Sequence, residues 1–144
     1  GLYETKSDGP GMTQEISMHF NEGAWRDDMH RLRRYTIRLD GFVSLSAPLA
    51  GGELVTKPLK FTGSKLSLNY ATSAAGNVVV EIQDAAGQPI PGFSLADADE
   101  LFGDSTEQTV SWKENADVGR LAGQSVRLRF VLRDADLFSY HFVQ

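Results

Sequence analysis

Apolar and polar residues alternate with a period of two along most of this chain, and the helical period of 3.6 is almost absent, so the pattern predicts an all-β protein. Tyr35, Ile37 and Leu39 alternate with Thr36, Arg38 and Asp40, and Val43, Leu45 and Ala47 with Ser44 and Ser46. Val55, Leu59 and Phe61 follow, with Pro58 in the run marking an edge or a bulge. Further runs are Leu66, Leu68 and Tyr70, then Val78, Val80 and Ile82, where Val79 adds an apolar residue on the opposite side. Val110 and Trp112, then Val126, Leu128, Phe130 and Leu132, and finally Phe138, Tyr140 and Phe142 complete eight predicted strands between residues 33 and 143.

Turn chemistry separates these runs: Asp40-Gly41, Gly51-Gly52, Thr62-Gly63-Ser64, Ala75-Gly76-Asn77 and Ala122-Gly123-Gln124. Short strands at this spacing predict a two-sheet antiparallel β-sandwich of the jelly-roll or concanavalin-like kind. A long connection over residues 84–106 has room for one helical turn, capped by Ser94 or Asp97 and stopped by Gly103, and a second short turn is expected over Asp117–Leu121. Residues 31–144 then form the sandwich. Residues 1–30 are an N-terminal extension or linker, with one short strand carrying Ile16, Met18 and Phe20.

Composition narrows the chemistry. At 144 residues one domain can bury a sufficient core, about 68–70% of the unfolded surface, without staples. The absence of cysteine removes thiol nucleophiles, thiolate metal sites and disulfides. A net charge of −5 offers no footprint for phosphate backbones, so nucleic acid is not an expected partner. No apolar run is long enough to span a membrane as a helix. The chain starts at Gly1, which is expected of a processed protein or of a piece of a longer one, its targeting signal out of view.

The ordered series Arg33-Arg34-Tyr35-Thr36-Ile37-Arg38-Leu39-Asp40-Gly41-Phe42-Val43-Ser44, Gly51-Gly52-Glu53-Leu54-Val55-Thr56-Lys57-Pro58, Leu68-Asn69-Tyr70-Ala71-Thr72, Val80-Glu81-Ile82-Gln83-Asp84, Pro89-Ile90-Pro91-Gly92-Phe93 and Val126-Arg127-Leu128-Arg129-Phe130 resembles the C-terminal β-sandwich of a group of bacterial β-propeller proteins. In that group the sandwich follows a propeller similar to the five-bladed glycosidases of the invertase and levanase type. The resemblance implies a jelly-roll accessory domain, an extracellular or periplasmic location and a carbohydrate-active parent. The catalytic carboxylates of such enzymes lie in blades this chain lacks, so it implies no catalytic residue here. Residues 1–30 would correspond to the last propeller strand and the linker, with the preceding propeller as a partner.

Candidate site residues follow from the chemistry of sugars, whose C–H faces stack on aromatic rings while polar neighbours read the hydroxyls. Trp25 sits in a polar loop beside Arg26 and Asp27, either as a stacking platform or as a plug in the seam with a propeller. Trp112 is in phase with Val110, either a core residue or a platform on a concave face. Arg127 and Arg129 project from the face opposite Leu128 and form, with Arg38, either a solvated or a polar binding face. Asp84, Asp97, Asp99 and Asp104 supply hard oxygens suited to a structural calcium ion, without an EF-hand spacing. His19, His30 and His141 are isolated, and no Gly-x-Ser-x-Gly elbow is present.

Three readings stand. The first is a non-catalytic module that binds a glycan or polysaccharide. The second is a structural domain packing on a glycosidase propeller, which requires an exposed apolar patch including Leu2, Ile16, Met18 or Phe20. The third is a small glycan hydrolase using Asp97 and Asp99.

Overall fold

Alternation produces strands where it is strongest, but two pairs of runs merge into single long strands, and the runs near Val43 and Val55 give only short ones. The computed structural model describes residues 1–9, 12, 14–23 and 30–144. Among these the strands are β1 (Leu2–Lys6), β2 (Gln14–Glu22), β3 (Arg31–Arg38), β4 (Leu45–Ala47), β5 (Gly52–Val55), β6 (Lys65–Asp84), β7 (Asp104–Thr109) and β8 (Val126–Val143). They form two antiparallel sheets, one in the order β1-β2-β3 and one in the order β4-β8-β6-β7 with β5 also pairing β8. The chain is therefore all-β with two antiparallel sheets, and among the described residues no helix is long and apolar enough to cross a membrane.

The runs at Leu66–Tyr70 and Val78–Ile82 are two halves of β6, and those at Val126–Leu132 and Phe138–Phe142 are two halves of β8. The Ala75-Gly76-Asn77 signal marks an irregularity inside a strand, not a turn between two. Thr72 pairs with Ala135 and Asn77 with Arg133, so residues 73–76 bulge opposite Asp134. Only glycine fits at 76, since a Cβ there would lie 2.3 Å from the Asp134 carbonyl oxygen. On the other side of β8, residues 48–51 break the edge between β4 and β5 opposite the same stretch. β8 shifts its inward positions at these irregularities. Val126, Leu128, Phe130 and Leu132 are buried, then Ala135 and Leu137, and Tyr140 and Phe142 pack against the same core.

One expectation about local elements changes and two hold. β3, expected in the sandwich, pairs with β2 from Glu15↔Arg38 to Glu22↔Arg31 and so belongs to the N-terminal sheet. The helical turn expected after Ser94 is present as a single turn, in which the Asp97 and Ala98 amides donate to the Ser94 carbonyl. The second short helix is present as a 3-10 turn over Gly119–Leu121.

The core belongs to the larger sheet. One cluster joins Leu66, Leu68, Val80, Ile82, Leu128 and Phe130 to residues from the long connections, among them Phe61, Phe93, Leu101, Trp112 and Leu121. No residue of β1, β2 or β3 belongs to it. The connections therefore supply the covering layer for that face, and the smaller sheet adds no side chain to the apolar cluster.

Candidate functional site

In an antiparallel pair, residues directly opposite share a face, so the register assigns the two faces of the N-terminal sheet. Leu2↔Met18, Ile16↔Ile37 and Met18↔Tyr35 place Leu2, Ile16, Met18, Phe20, Tyr35 and Ile37 on one face. Glu4 and Arg33 share that face, and Glu15, Ser17, Arg34 and Thr5 lie on the other, together with the exposed Tyr3 and Leu32 towards its edges. The polar groups at the centre of this second face bond one another. Arg34 Nε donates to Ser17 Oγ at 2.9 Å, Arg34 Nη2 pairs with Glu15 Oε1 at 2.6 Å, and the Thr5 and Ser17 hydroxyls lie 2.7 Å apart. Ser17 is buried beneath them.

Among the described residues no layer buries the apolar face. Leu2 is 59% exposed, Phe20 54% and Tyr35 41%, while Ile16, Met18 and Ile37 are half-buried. Phe20 meets Tyr35 edge to face, with ring centroids 5.7 Å apart. At the rim the Tyr35 hydroxyl donates to Glu22, which also takes Arg31 and Arg33 at 3.0 and 3.2 Å. That hydroxyl, followed by the two arginines, holds the Glu22 carboxyl below the usual carboxylate range, and the same bond raises the Tyr35 phenol.

Arg38, at the end of β3, joins this sheet to the larger one. Its Nη2 donates to the carbonyls of Tyr70 and Ser105 at 2.8 and 2.7 Å, its Nε to Asn69 Oδ1, and its Nη1 to Asp104. The guanidinium lies 4.7 Å from the centre of the Phe138 ring. Alternation had placed Arg38 merely on a polar strand face with Arg127 and Arg129. The structure gives it different neighbours, and no local signal announces them, because its partners are 31 to 67 residues away in sequence or further.

The other expected site residues are dispersed. Trp25, Arg26 and Asp27 lie outside the described residues. Trp112 is 2% exposed, donates its indole N–H to the Val80 carbonyl at 2.9 Å and packs edge-on against Phe93, so it presents no open ring face. Arg127 Nε donates to the Ala85 carbonyl. Arg129 bridges Glu53 at 2.6 Å and the buried Glu81 at 3.5 Å, and these carboxylates, Glu53 foremost, raise its already high pKa.

The four acids proposed for calcium are each engaged locally. Asp84 accepts from the Ala86 and Gln88 amides, and Asp104 pairs with Arg38. Asp97 takes Lys113 and the Ser94 hydroxyl, and Asp99 takes the Ser111 hydroxyl and the Glu114 amide. These bonds depress both carboxyls, Lys113 contributing most at Asp97 and Ser111 most at Asp99. They hold the turn Trp112–Asn115, whose Lys113 and Glu114 adopt φ of 50° and 64° without being glycine. Among the described residues no three His, Cys, Asp or Glu side chains form a group able to hold a metal ion.

A second apolar surface is a shallow groove of about 520 Å³ beside β4, lined chiefly by Val43, Leu45, Leu54, Leu137 and Tyr140. No family model, no curated protein and no solved structure matches this chain.

Proposed function

We propose that this chain is a non-catalytic accessory module of a carbohydrate-active extracellular protein, and that it acts by packing the apolar face of its N-terminal sheet against a neighbouring domain. The observation that carries this reading is one face on which exposed Leu2, Phe20 and Tyr35 adjoin half-buried Ile16, Met18 and Ile37, with no covering layer among the described residues. Each buried large apolar side chain is worth about 1.5–3 kcal/mol, so a face of this kind gains from a cover. The kind of neighbour, a glycosidase-like propeller, and the jelly-roll character of the larger sheet come from the resemblance in the sequence. Engagement of Asp97 and Asp99 in turn bonds, and the burial of Trp112, favour packing over hydrolysis or sugar stacking by those residues.

Oxidative footprinting tests the reading. Met18 and Tyr35 should be modified more slowly in the protein as isolated from its source than in the 144-residue chain alone. Equal rates in both would overturn it. Retention of the chain on a polysaccharide column, lost in Trp25→Ala and kept in Phe20→Asp, would favour the glycan-binding reading instead.

A further inference from the structure

Arg38 is nearly enclosed, with its side chain 10% exposed, although it belongs to the sheet that contributes nothing to the core. The ladders of the larger sheet are irregular where it enters. β6 and β7 shift register between Leu68 and Tyr70, and β6 and β8 shift between Asn69 and Tyr70, which leaves Phe138 out of the pairing. Such irregularities interrupt ladder bonding locally, and buried carbonyls must then find other donors. Arg38 Nη2 supplies one to both Tyr70 and Ser105, while the ring of Phe138 lies against the guanidinium.

Two bonds continue the join beyond Arg38. Asn69 Nδ2 donates to the Leu39 carbonyl and Ser139 Oγ to Asp40 Oδ2, each at 2.7 Å. The chain then turns sharply, with the Gly41 amide donating to the Arg38 carbonyl and Asp40 at φ 55°. A Cβ at Gly41 would lie 2.7 Å from that same carbonyl oxygen, so glycine lets the turn close directly on Arg38.

We infer that Arg38 is a latch between two separately packed units: it holds the β1–β3 sheet in one orientation on the larger sheet, which keeps its own fold when the latch is removed. The apolar core of the larger unit runs from Ala47 to Phe142 without any residue of the smaller one. The polar face of the smaller sheet is held together by Arg34, Glu15, Ser17 and Thr5. The junction between them is thus centred on a charged fork in a carbonyl-lined opening, to which the Asn69–Leu39 and Ser139–Asp40 bonds add at the following turn. The proposed packing role gives the latch a use, because Arg38 aims the apolar face, but the latch does not rest on that role.

Hydrogen exchange of the full chain tests it. In Arg38→Ala, amides of β2 and β3 should exchange faster by about tenfold or more, as expected on losing several hydrogen bonds to a charged group. Amides of Val78–Ile82 and Leu128–Leu132 should stay within about twofold of the parent, since opening is confined to the unlatched unit. Arg38→Lys retains a charge for Asp104 but not the fork, and should fall between the two. Equal acceleration in both sheets, or failure of Arg38→Ala to fold, would make Arg38 part of one cooperative unit and overturn the inference. Unchanged exchange in both would overturn it as well. Phe20→Asp, which tests the packing role, should leave the exchange of the junction unaltered.

Discussion

Leu128, Phe130 and Leu132 in β8 and Ile16, Met18 and Phe20 in β2 follow the same rule, three apolar residues spaced by two. The first three are 0–1% exposed, whereas Phe20 is 54% exposed. Both strands lie between two neighbours in their sheets. What differs is the layer above them. Connections carrying Phe61, Phe93, Trp112 and Leu121 fold over the larger sheet, and no such layer of described residues buries the apolar face of the smaller one. Alternation says that a face is apolar. It does not say what covers it.

That contrast can be broken at the core. Phe130→Ala should cost about 3–5 kcal/mol in denaturant unfolding, because it empties space among fixed neighbours. A cost near that of a surface change would show that the larger sheet is not the stable unit.

Gly76→Ala asks whether the irregularity crossing the larger sheet is as tight as its geometry. The added methyl meets the backbone oxygens of Asp134 and Arg133 at 2.3 and 2.5 Å, and should cost about 1–3 kcal/mol in the same assay. A neutral result would mean that the strand relaxes freely there.

Acid sharpens the comparison by acting on the covering layer. Asp97 and Asp99 have carboxyl groups depressed in the folded state by Lys113 and Ser111 respectively, with smaller contributions from Ser94 and the Glu114 amide. Their stabilisation is therefore complete above the unfolded carboxylate value, about 3.9, and is lost as pH falls through the lower folded values. Thermal midpoints measured below about pH 4 should fall less steeply in Asp97→Asn and Asp99→Asn than in the parent. Parallel curves would remove these acids from the account of the layer.

The smallest effect on stability is expected on the open face. Phe20→Ala should change unfolding by no more than about 1 kcal/mol, through loss of the edge contact with Tyr35. Binding of a hydrophobic dye should nevertheless decrease. A core-sized penalty would mean that the face is already covered.

Part of the open face was readable in advance. A structural role predicts an exposed patch including Leu2, Ile16, Met18 or Phe20; all four share one face of the N-terminal sheet, where Leu2 and Phe20 are exposed and Ile16 and Met18 half-buried. Tyr35 and Ile37 belong with them, although their alternation pointed to the sandwich, because a strand's pattern does not identify its partner. β1 carried no alternation signal and is recruited by pairing with β2. The aromatic and arginine candidates fared differently for the same reason. Trp112 has the period of a core strand and is buried, while Arg127 and Arg129 are occupied by groups on other segments.

By itself the sequence determined that the protein is all-β, that thiol chemistry is absent, and which side chains of the long runs are apolar enough to form a core. These are properties of composition and of neighbours two residues apart. Tertiary structure alone decided that two pairs of runs are single strands and that β3 joins the N-terminal sheet. It also decided that Arg38 bridges the two sheets and that the larger sheet receives the cover seen among the described residues. Those outcomes depend on contacts between residues far apart in the chain, where pairing geometry and the need to satisfy buried carbonyls outweigh the local pattern.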